Sequence, residues 1–393
     1  MRNLRLLAGA DARRRFHTYE DFRRAAQRRV PRMVFEFVDG GADGESTLRE
    51  NRAAFDRVRF DPRMLRDVSE VSTATTVLGE RVGLPFVLAP AGLAALVHPE
   101  GELAVARAAT ATDTILCLST ASTYPLEDVA AAAPDCRLWF QLYLWRDERV
   151  VSELVARARD VGCRALVLTV DVPAVGKRER DLANGMSIPP SIRPAGILDA
   201  ARHPRWLRGL LTGPELTFGN LRGFAPGDSA ATIGEYTDRE LVDRTVTWDR
   251  LGWLRERWDG PLVVKGVLSA ADARAAVDHG ADAVYVSNHG GRQLDSVPGT
   301  ATVLPEVVAA VGDRAEVLID GGIRRGEDVV KARALGARAA LAGRPWFHAL
   351  AADGERGVVR MLEILRADVV RTLTLLGIPS IDAVGPDTVR RAA

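Results

Sequence analysis

Short runs of β-branched and other apolar residues, each bounded by glycine, proline or polar side chains, recur along the chain and predict strands. They are PFVLAP (85–90), TILCLS (114–119), LWFQLY (138–143), ALVLTVD (165–171), PLVVKG (261–266), AVYVSN (283–288), EVLIDG (316–321) and AALAGR (339–344). Between them PEGELAVARAATAT, RVVSELVARARDVG, SAADARAAVDHG and GEDVVKARALG carry helical patterns, several opening on Ser, Asp or Pro and closing on Gly. The runs start 22 to 33 residues apart, with one interval of 96, and the shorter spacing fits a strand, a helix and two short loops. Strands apolar on both faces suit a parallel sheet covered on both sides. Eight such units close most economically into a TIM (β/α)8 barrel, an α/β fold. A doubly wound sheet is the competing architecture, but no Gly-x-Gly-x-x-Gly turn follows the first run.

Two segments depart from the repeat. Residues 1–84 precede the first strand and predict an N-terminal helical extension, carried by TYEDFRRAAQRRVPRMVFEFVDGGADGESTLRENRAAF, that could plug the barrel's bottom or wall its top. The barrel then occupies 85–380, with a long insertion after strand 4 at 172–246, and 381–393 form a C-terminal tail. The middle of the insertion, 186–230, mixes Pro and Gly with Trp, Leu, Ile and Arg. It follows the C-terminal end of a strand, where loops cover the site, so it reads as a lid.

Composition narrows the partners. With 53 basic and 52 acidic side chains the net charge is +1, so no global field draws nucleic acid, and none is expected as a partner. Cys117, Cys136 and Cys163 are too widely spaced for a zinc knuckle and odd in number, which leaves small buried hydrophobes as the plain reading and no metal site. The start, MRNLRLLAGADARRRF, has an apolar patch far shorter than a membrane span. A cytoplasmic location is the default. HPRWLRGLL (203–211) adds a second expectation, peripheral contact with the inner membrane face through 186–230, set against the plainer reading of a solvated loop.

Candidate chemistry gathers where a barrel puts it, at the strand C-termini. The eight runs end in Pro90, Ala91 and Gly92; Ser119 and Thr120; Gln141 and Tyr143; Thr169 and Asp171; Lys265; Ser287 and His289; Asp320; and Gly343 with Arg344. Any one of them is ordinarily a cap or turn residue, but together they line one rim. DGGIRRG (320–326) and GRP (343–345) add glycines, which let backbone N–H groups approach a phosphate, and arginines, which offer planar cationic forks. The loops after strands 7 and 8 are the usual phosphate pocket of such barrels.

The motifs SNHGGRQLD (287–295), LIDGGIRRGEDVVKARALGA (318–337), FQLY (140–143), LTVDVPAVGKRERD (168–181) and LPFVLAPAG (84–92) together resemble the FMN-dependent α-hydroxy acid oxidase and dehydrogenase family, which includes glycolate oxidase, lactate dehydrogenase and oxidase, and mandelate dehydrogenase. The likeness runs from about residue 17 to 380. LSTAS (118–122), LWFQLY, RERDLAN (178–184) and HPRW (203–206) are similar to the (S)-mandelate dehydrogenase and 4-hydroxymandelate oxidase branch.

The resemblance implies FMN as cofactor and a 2-hydroxy acid as substrate. It makes His289 the base, Asp171 the carboxylate that steadies the imidazolium, and Tyr143 a hydrogen-bond donor to the substrate hydroxyl or developing ketone. Arg178 and Arg292 would bind the substrate carboxylate, the glycines after His289 letting Arg292 fold back toward it. Lys265 would sit beside the flavin N1 and C2 carbonyl. Pro90, Ala91, Gly92, Ser119, Gln141, Thr169 and Ser287 would line the flavin ring and ribityl chain, with Asp320, Gly321, Gly322, Arg324, Gly343 and Arg344 at the ribityl and phosphate groups.

One departure bears on the substrate. Where the family usually has tyrosine in a Tyr-Asp-Tyr segment, this chain reads Phe-Glu-Phe, which places Phe37 against the substrate carboxylate. The lost hydrogen bond costs about 1 kcal/mol, and the more apolar pocket favours an aryl side chain, mandelate-like, over glycolate. Gly92 also tilts toward the mandelate dehydrogenase pattern. Electrons would leave to oxygen or a quinone. The alternatives are a lactate-type enzyme, a biosynthetic flavoenzyme on a larger hydroxy acid, a non-redox FMN barrel isomerase and a non-catalytic binding protein. The family also implies a homo-oligomer, a tetramer.

Overall fold

The computed structural model describes residues 16–186, 194–227, 229–240 and 243–391. The opening segment MRNLRLLAGADARRR and parts of the 186–230 segment, at 187–193 and 228, lie outside the described residues.

Eight parallel strands close a barrel in sequence order. They are β1 (Phe86–Leu88), β2 (Ile115–Ser119), β3 (Arg137–Leu142), β4 (Ala165–Thr169), β5 (Leu262–Val267), β6 (Ala283–Val286), β7 (Glu316–Ile319) and β8 (Ala339–Ala342). Closure is made by β8 against β1, with Leu341 opposite Val87. Period-two alternation decides which side chains fill the barrel. Val87, Cys117, Trp139, Val167, Val263, Tyr285, Leu318 and Leu341 point inward and pack together, while Leu116, Phe140, Leu166, Leu168 and Val264 face the surrounding helices. Cys117 is therefore interior packing; Cys163 is also buried and Cys136 half-buried, and all three are free.

The first 84 residues hold more than helices. Thr75–Val77 and Glu80–Val82 form a hairpin whose Val77 and Val82 join the interior cluster beneath Val87, Ile115 and Trp139. The N-terminal mouth of the barrel is thereby stoppered by two valines on a turn. Among the described residues three helices precede it: α1 (Tyr19–Arg29), α2 (Arg32–Asp39) and α3 (Ser46–Asp56). Thr18 starts α1 by a capping box, its hydroxyl accepting from the Asp21 N–H while the Asp21 carboxylate accepts from the Thr18 N–H. The chain end is also tied down, since Val389–Arg391 pairs antiparallel with Val58–Phe60.

The insertion after β4 carries four helices in its described parts: α4 (Glu179–Asn184), α5 (Pro194–Ala201), α6 (Pro204–Thr212) and α7 (Ala230–Glu240). The indole N–H of Trp206 donates to the Leu96 carbonyl at 2.8 Å and pins α6 to the loop after β1. The last barrel strand leads into α8 (Arg344–Leu376), broken at Asp353 and Gly354, which packs on α1.

Candidate active site

The loop after β6 is the most strained turn at the rim. His289, Gly290 and Gly291 take φ values of +58°, +64° and +75° in succession. A non-glycine residue held in the left-handed region costs free energy that the surrounding structure must offset, a condition that clusters at functional sites. Here the offset is visible. Asn288 is buried and exchanges side-chain hydrogen bonds with Asn51 of α3, and its carbonyl side oxygen accepts from the Gly291 N–H. A Cβ on Gly291 would stand 2.7 Å from the Leu48 backbone nitrogen, so the turn can press against α3 only as glycine.

The turn aims His289 at Asp171, with 3.1 Å between His289 Nδ1 and an Asp171 oxygen. That contact gives the Nδ1 position to the carboxylate and leaves Nε2 facing the cavity. Asp171 reaches its place because β5 carries a bulge between Lys265 and Val267. Gly266 at its centre has φ +111°, and a Cβ there would lie 2.7 Å from the Asp171 Cβ.

Charges around this pair compete. Burial would raise the Asp171 carboxyl, but the Lys265 ammonium and His289 outweigh it and hold it at about 2. For His289 the balance runs the other way. Burial, then Lys265, lowers the imidazole from its ordinary value, and Asp171 recovers only part of the loss. The resting histidine is thus neutral, with its partner ionised. Burial also raises the Tyr143 phenol, which stays a hydroxyl.

Two arginines face the same space, with the Asp181 carboxylate of α4 lining it beside them and only partly offsetting their charge. Arg292 spends one nitrogen on the carbonyls of Phe37 and Gly40, at 2.6 and 3.0 Å, and its guanidinium lies 5.1 Å over the Phe37 ring. The Arg178 Nε is buried without a hydrogen-bond partner. Burial disfavours the charge on both, and for Arg292 the neighbouring Arg178 and Arg344 add to the effect. Such a pair gains most from an anion between the two forks.

The cavity they enclose has a volume of about 470 Å³. Of the residues singled out in the sequence, Phe37, Pro90, Ala91, Gly92, Ser119, Tyr143, Arg178, Lys265, His289, Arg292, Asp320, Gly321, Gly322, Arg324, Gly343 and Arg344 line it. Gln141, Thr169, Asp171 and Ser287 stand one layer behind. Ser119 donates to the Gln141 amide oxygen at 2.9 Å, and the Ser287 hydroxyl accepts from the His289 N–H at 3.0 Å.

Whether these residues suit a flavin can be judged from their unmet hydrogen bonds. Lys265 Nζ, the Gln141 amide nitrogen, Thr169 Oγ1 and one Asp320 oxygen are buried with no partner. An unmet buried polar atom costs about 1–3 kcal/mol. These four sit in or just past β3, β4, β5 and β7, Lys265 and Asp320 lining the cavity itself, and they would supply donors and an acceptor to FMN. The residues fit the group.

The two arginines expected at a phosphate differ in their partners. Arg344 gives its guanidinium to the carbonyls of Val38, Asp39, Gly40 and Gly290, and so clamps the N-terminal extension to the rim. The Arg324 side chain donates to its neighbour's carbonyl, that of Ile323, and its guanidinium lies 4.8 Å over the Tyr19 ring, while its backbone N–H donates to Asp328 at 2.9 Å. Gly321 and Gly322 have φ +79° and +93°, and a Cβ on Gly322 would meet the Asn51 carbonyl oxygen at 2.3 Å.

Several residues escaped the sequence reading. Gln293 ties the loop after β6 to that after β4, donating to the Asp171 and Ala174 carbonyls at 2.9 Å each and accepting from the Gly176 N–H at 3.1 Å. Its place inside SNHGGRQLD was the available signal. Leu93, Val172, Val175, Met186, Phe218, Gly234 and Thr237 complete the wall beyond Phe37, and nothing in their spacing marked them.

The family model described as FMN-dependent dehydrogenase matches residues 26–391. A protein named putative L-lactate dehydrogenase, from Mycobacterium tuberculosis (strain ATCC 25618 / H37Rv), is 46% identical over 369 residues, covering 94% of this chain and 88% of that protein. Glycolate oxidase 3 of Arabidopsis thaliana is 42% identical over 365 residues, 92% of each chain. Among solved structures, one described as the monotopic membrane protein (S)-mandelate dehydrogenase superposes with a TM-score of 0.92 at 42% identity, covering 96% of this chain and 99% of that one.

Proposed function

This chain belongs to the FMN-dependent α-hydroxy acid oxidase and dehydrogenase family, and from that premise we propose that it oxidises an (S)-2-hydroxy acid with an aryl, mandelate-like side chain to the 2-oxo acid. The FMN-dependent oxidation of a 2-hydroxy acid is the family's activity; the aryl preference is the reading made here. It is carried by one observation. Beside the carboxylate-seeking arginines, the cavity lining includes Phe37, Leu93, Val172, Val175, Met186 and Phe218, with Thr237, Gly234 and Asp181 also contributing. Such a surface rewards burial of a phenyl ring and offers little to glycolate.

FMN, when bound, supplies the acceptor for two electrons. The chain's own groups do the rest. Arg178 and Arg292 hold the substrate carboxylate, which fixes the α-carbon relative to His289. His289 takes a proton at Nε2, because Nδ1 is engaged by Asp171. The Asp171 carboxylate then neutralises the imidazolium that forms. Tyr143, kept protonated by burial, donates to the substrate oxygen as it becomes a ketone. Lys265 holds a buried positive charge at the cavity wall, where it would favour negative charge gained by the FMN that these residues would hold.

Anaerobic mixing with mandelate, lactate and glycolate, read as bleaching of the visible flavin band, tests the reading. Mandelate is expected to bleach it with the highest second-order rate constant. Preference for glycolate would remove the aryl assignment, and a flavin left oxidised by all three would remove the hydroxy acid. Reoxidation by air against a soluble quinone then separates the two candidate acceptors.

A membrane-facing role for the insertion rests on a separate observation. Ile197, Leu198 and Leu211 of α5 and α6 are exposed at 58%, 63% and 75%, next to exposed Arg205 and Arg208. We propose that this face of a cytoplasmic protein rests on an anionic lipid surface as a peripheral contact. None of the helices among the described residues is long and apolar enough to cross a membrane. Co-sedimentation with phosphatidylglycerol vesicles but not with phosphatidylcholine vesicles is the expected result. A homotetramer is proposed on family likeness, to be checked by light scattering.

A further inference from the structure

Inside the barrel, directly below the flavin-facing rim, one hydroxyl has a partner that matters. Tyr285 of β6 is fully buried, and its hydroxyl donates to one oxygen of the Asp320 carboxylate at 2.8 Å. Among the described residues no other side chain bonds that carboxylate, and its second oxygen is buried and unmet. The same ring lies under the Lys265 ammonium, 5.5 Å from Nζ to the centroid. Strand alternation explains the placement. Tyr285 is an inward-facing residue of β6 (Ala283–Val286), packed in the interior cluster below the cavity that Lys265 and Asp320 line.

We propose that Tyr285 is a positioning residue of the FMN site. By occupying one Asp320 oxygen, it directs the other toward a hydroxyl of the ribityl chain, and its ring steadies Lys265 beneath the isoalloxazine. This inference rests on the flavin reading of the cavity and is independent of which hydroxy acid is oxidised. A carboxylate with one neutral O–H donor and one open oxygen is a strong acceptor at a fixed angle. Without the donor both oxygens are unmet in a buried space, and the carboxylate is free to turn toward Lys265 instead. The phenol stays protonated for this task, because burial and then Asp320 itself push its pKa well up.

The test is FMN affinity, measured as the rise in flavin fluorescence when holoenzyme is diluted. Tyr285→Phe removes one oxygen from the buried ring and is expected to weaken FMN binding about tenfold, as for a lost bond to a charged group. The same substitution in an Asp320→Asn background is expected to change affinity by less than about twofold, because the interaction is already altered. An unchanged affinity in Tyr285→Phe overturns the proposal. So does an equal loss in both backgrounds, which would make Tyr285 simple packing. Tyr285→Met also lacks the donor and replaces Phe if that variant does not fold; failure of both to fold overturns it as well. A parent enzyme that binds no FMN would instead sink the flavin reading itself.

Discussion

Asp171→Asn is the most informative single change. It keeps an oxygen that can accept from His289 Nδ1, separated from it by 3.1 Å, but removes the charge. The loop itself should hold, because Gln293 bonds the main-chain carbonyl of residue 171 and not its side chain. In the resting enzyme neutral His289 loses little, and the charge removed there is the one that Lys265 attracts. The cost appears when His289 becomes a cation near Lys265 and Arg178, both of which oppose its charge. Coulomb's law at 3.1 Å and an effective dielectric constant of about 20 sets a ceiling of roughly 5 kcal/mol. Desolvation and the surviving neutral hydrogen bond reduce it toward the roughly 1.5–3 kcal/mol of a charge-assisted bond. With tenfold per 1.4 kcal/mol, flavin bleaching should slow by about 10- to 150-fold. Anaerobic stopped-flow at saturating hydroxy acid measures that step directly. A rate constant within about threefold of the parent, or a loss confined to substrate affinity, would refute the role given to the carboxylate.

Three further outcomes follow from the same geometry. Because burial and Lys265 lower His289 from 6.5, its neutral, active form persists below that pH. The acid limb of kcat/KM is therefore expected below pH 6.5 and further toward acid in Asp171→Asn; a limb at neutral pH or above contradicts it. Phe37→Tyr adds a hydroxyl beside Arg292 and is expected to improve lactate relative to mandelate by up to about tenfold in kcat/KM, and an unchanged ratio would count against the pocket reading. Gly322→Ala sets a Cβ against the Asn51 carbonyl at 2.3 Å with φ +93°. Its flavin-to-protein ratio after purification should fall well below the parent's, and full occupancy would show that the phosphate turn tolerates a side chain.

The amino-acid sequence by itself determined the barrel, the strand order and most of the rim. The reason is local. Period-two and helical patterns alternate at short spacing, and a strand that is apolar until its last residue announces where solvent or ligand begins. SNHGGRQLD showed where His289 and Arg292 enter, and DGG with GRP marked two further glycine- and arginine-bearing turns that line the same cavity.

What only the tertiary structure decided depends on contacts between distant segments. The hairpin at Thr75–Val82 falls inside the segment expected to be a helical extension, and becomes a stopper only because the barrel mouth lies above it. Arg344 reads as a phosphate ligand, yet its fork is taken by carbonyls of α2 and the loop after β6, about 300 and 50 residues away in sequence. The apolar wall draws on the N-terminal extension, the loop after β1 and the insertion, so no single stretch carries its pattern. Tyr285 looks like any strand aromatic until β7 brings Asp320 within 2.8 Å of its hydroxyl. Burial and pairing set the protonation of His289 and Asp171, and both are properties of the closed barrel rather than of the residues in order.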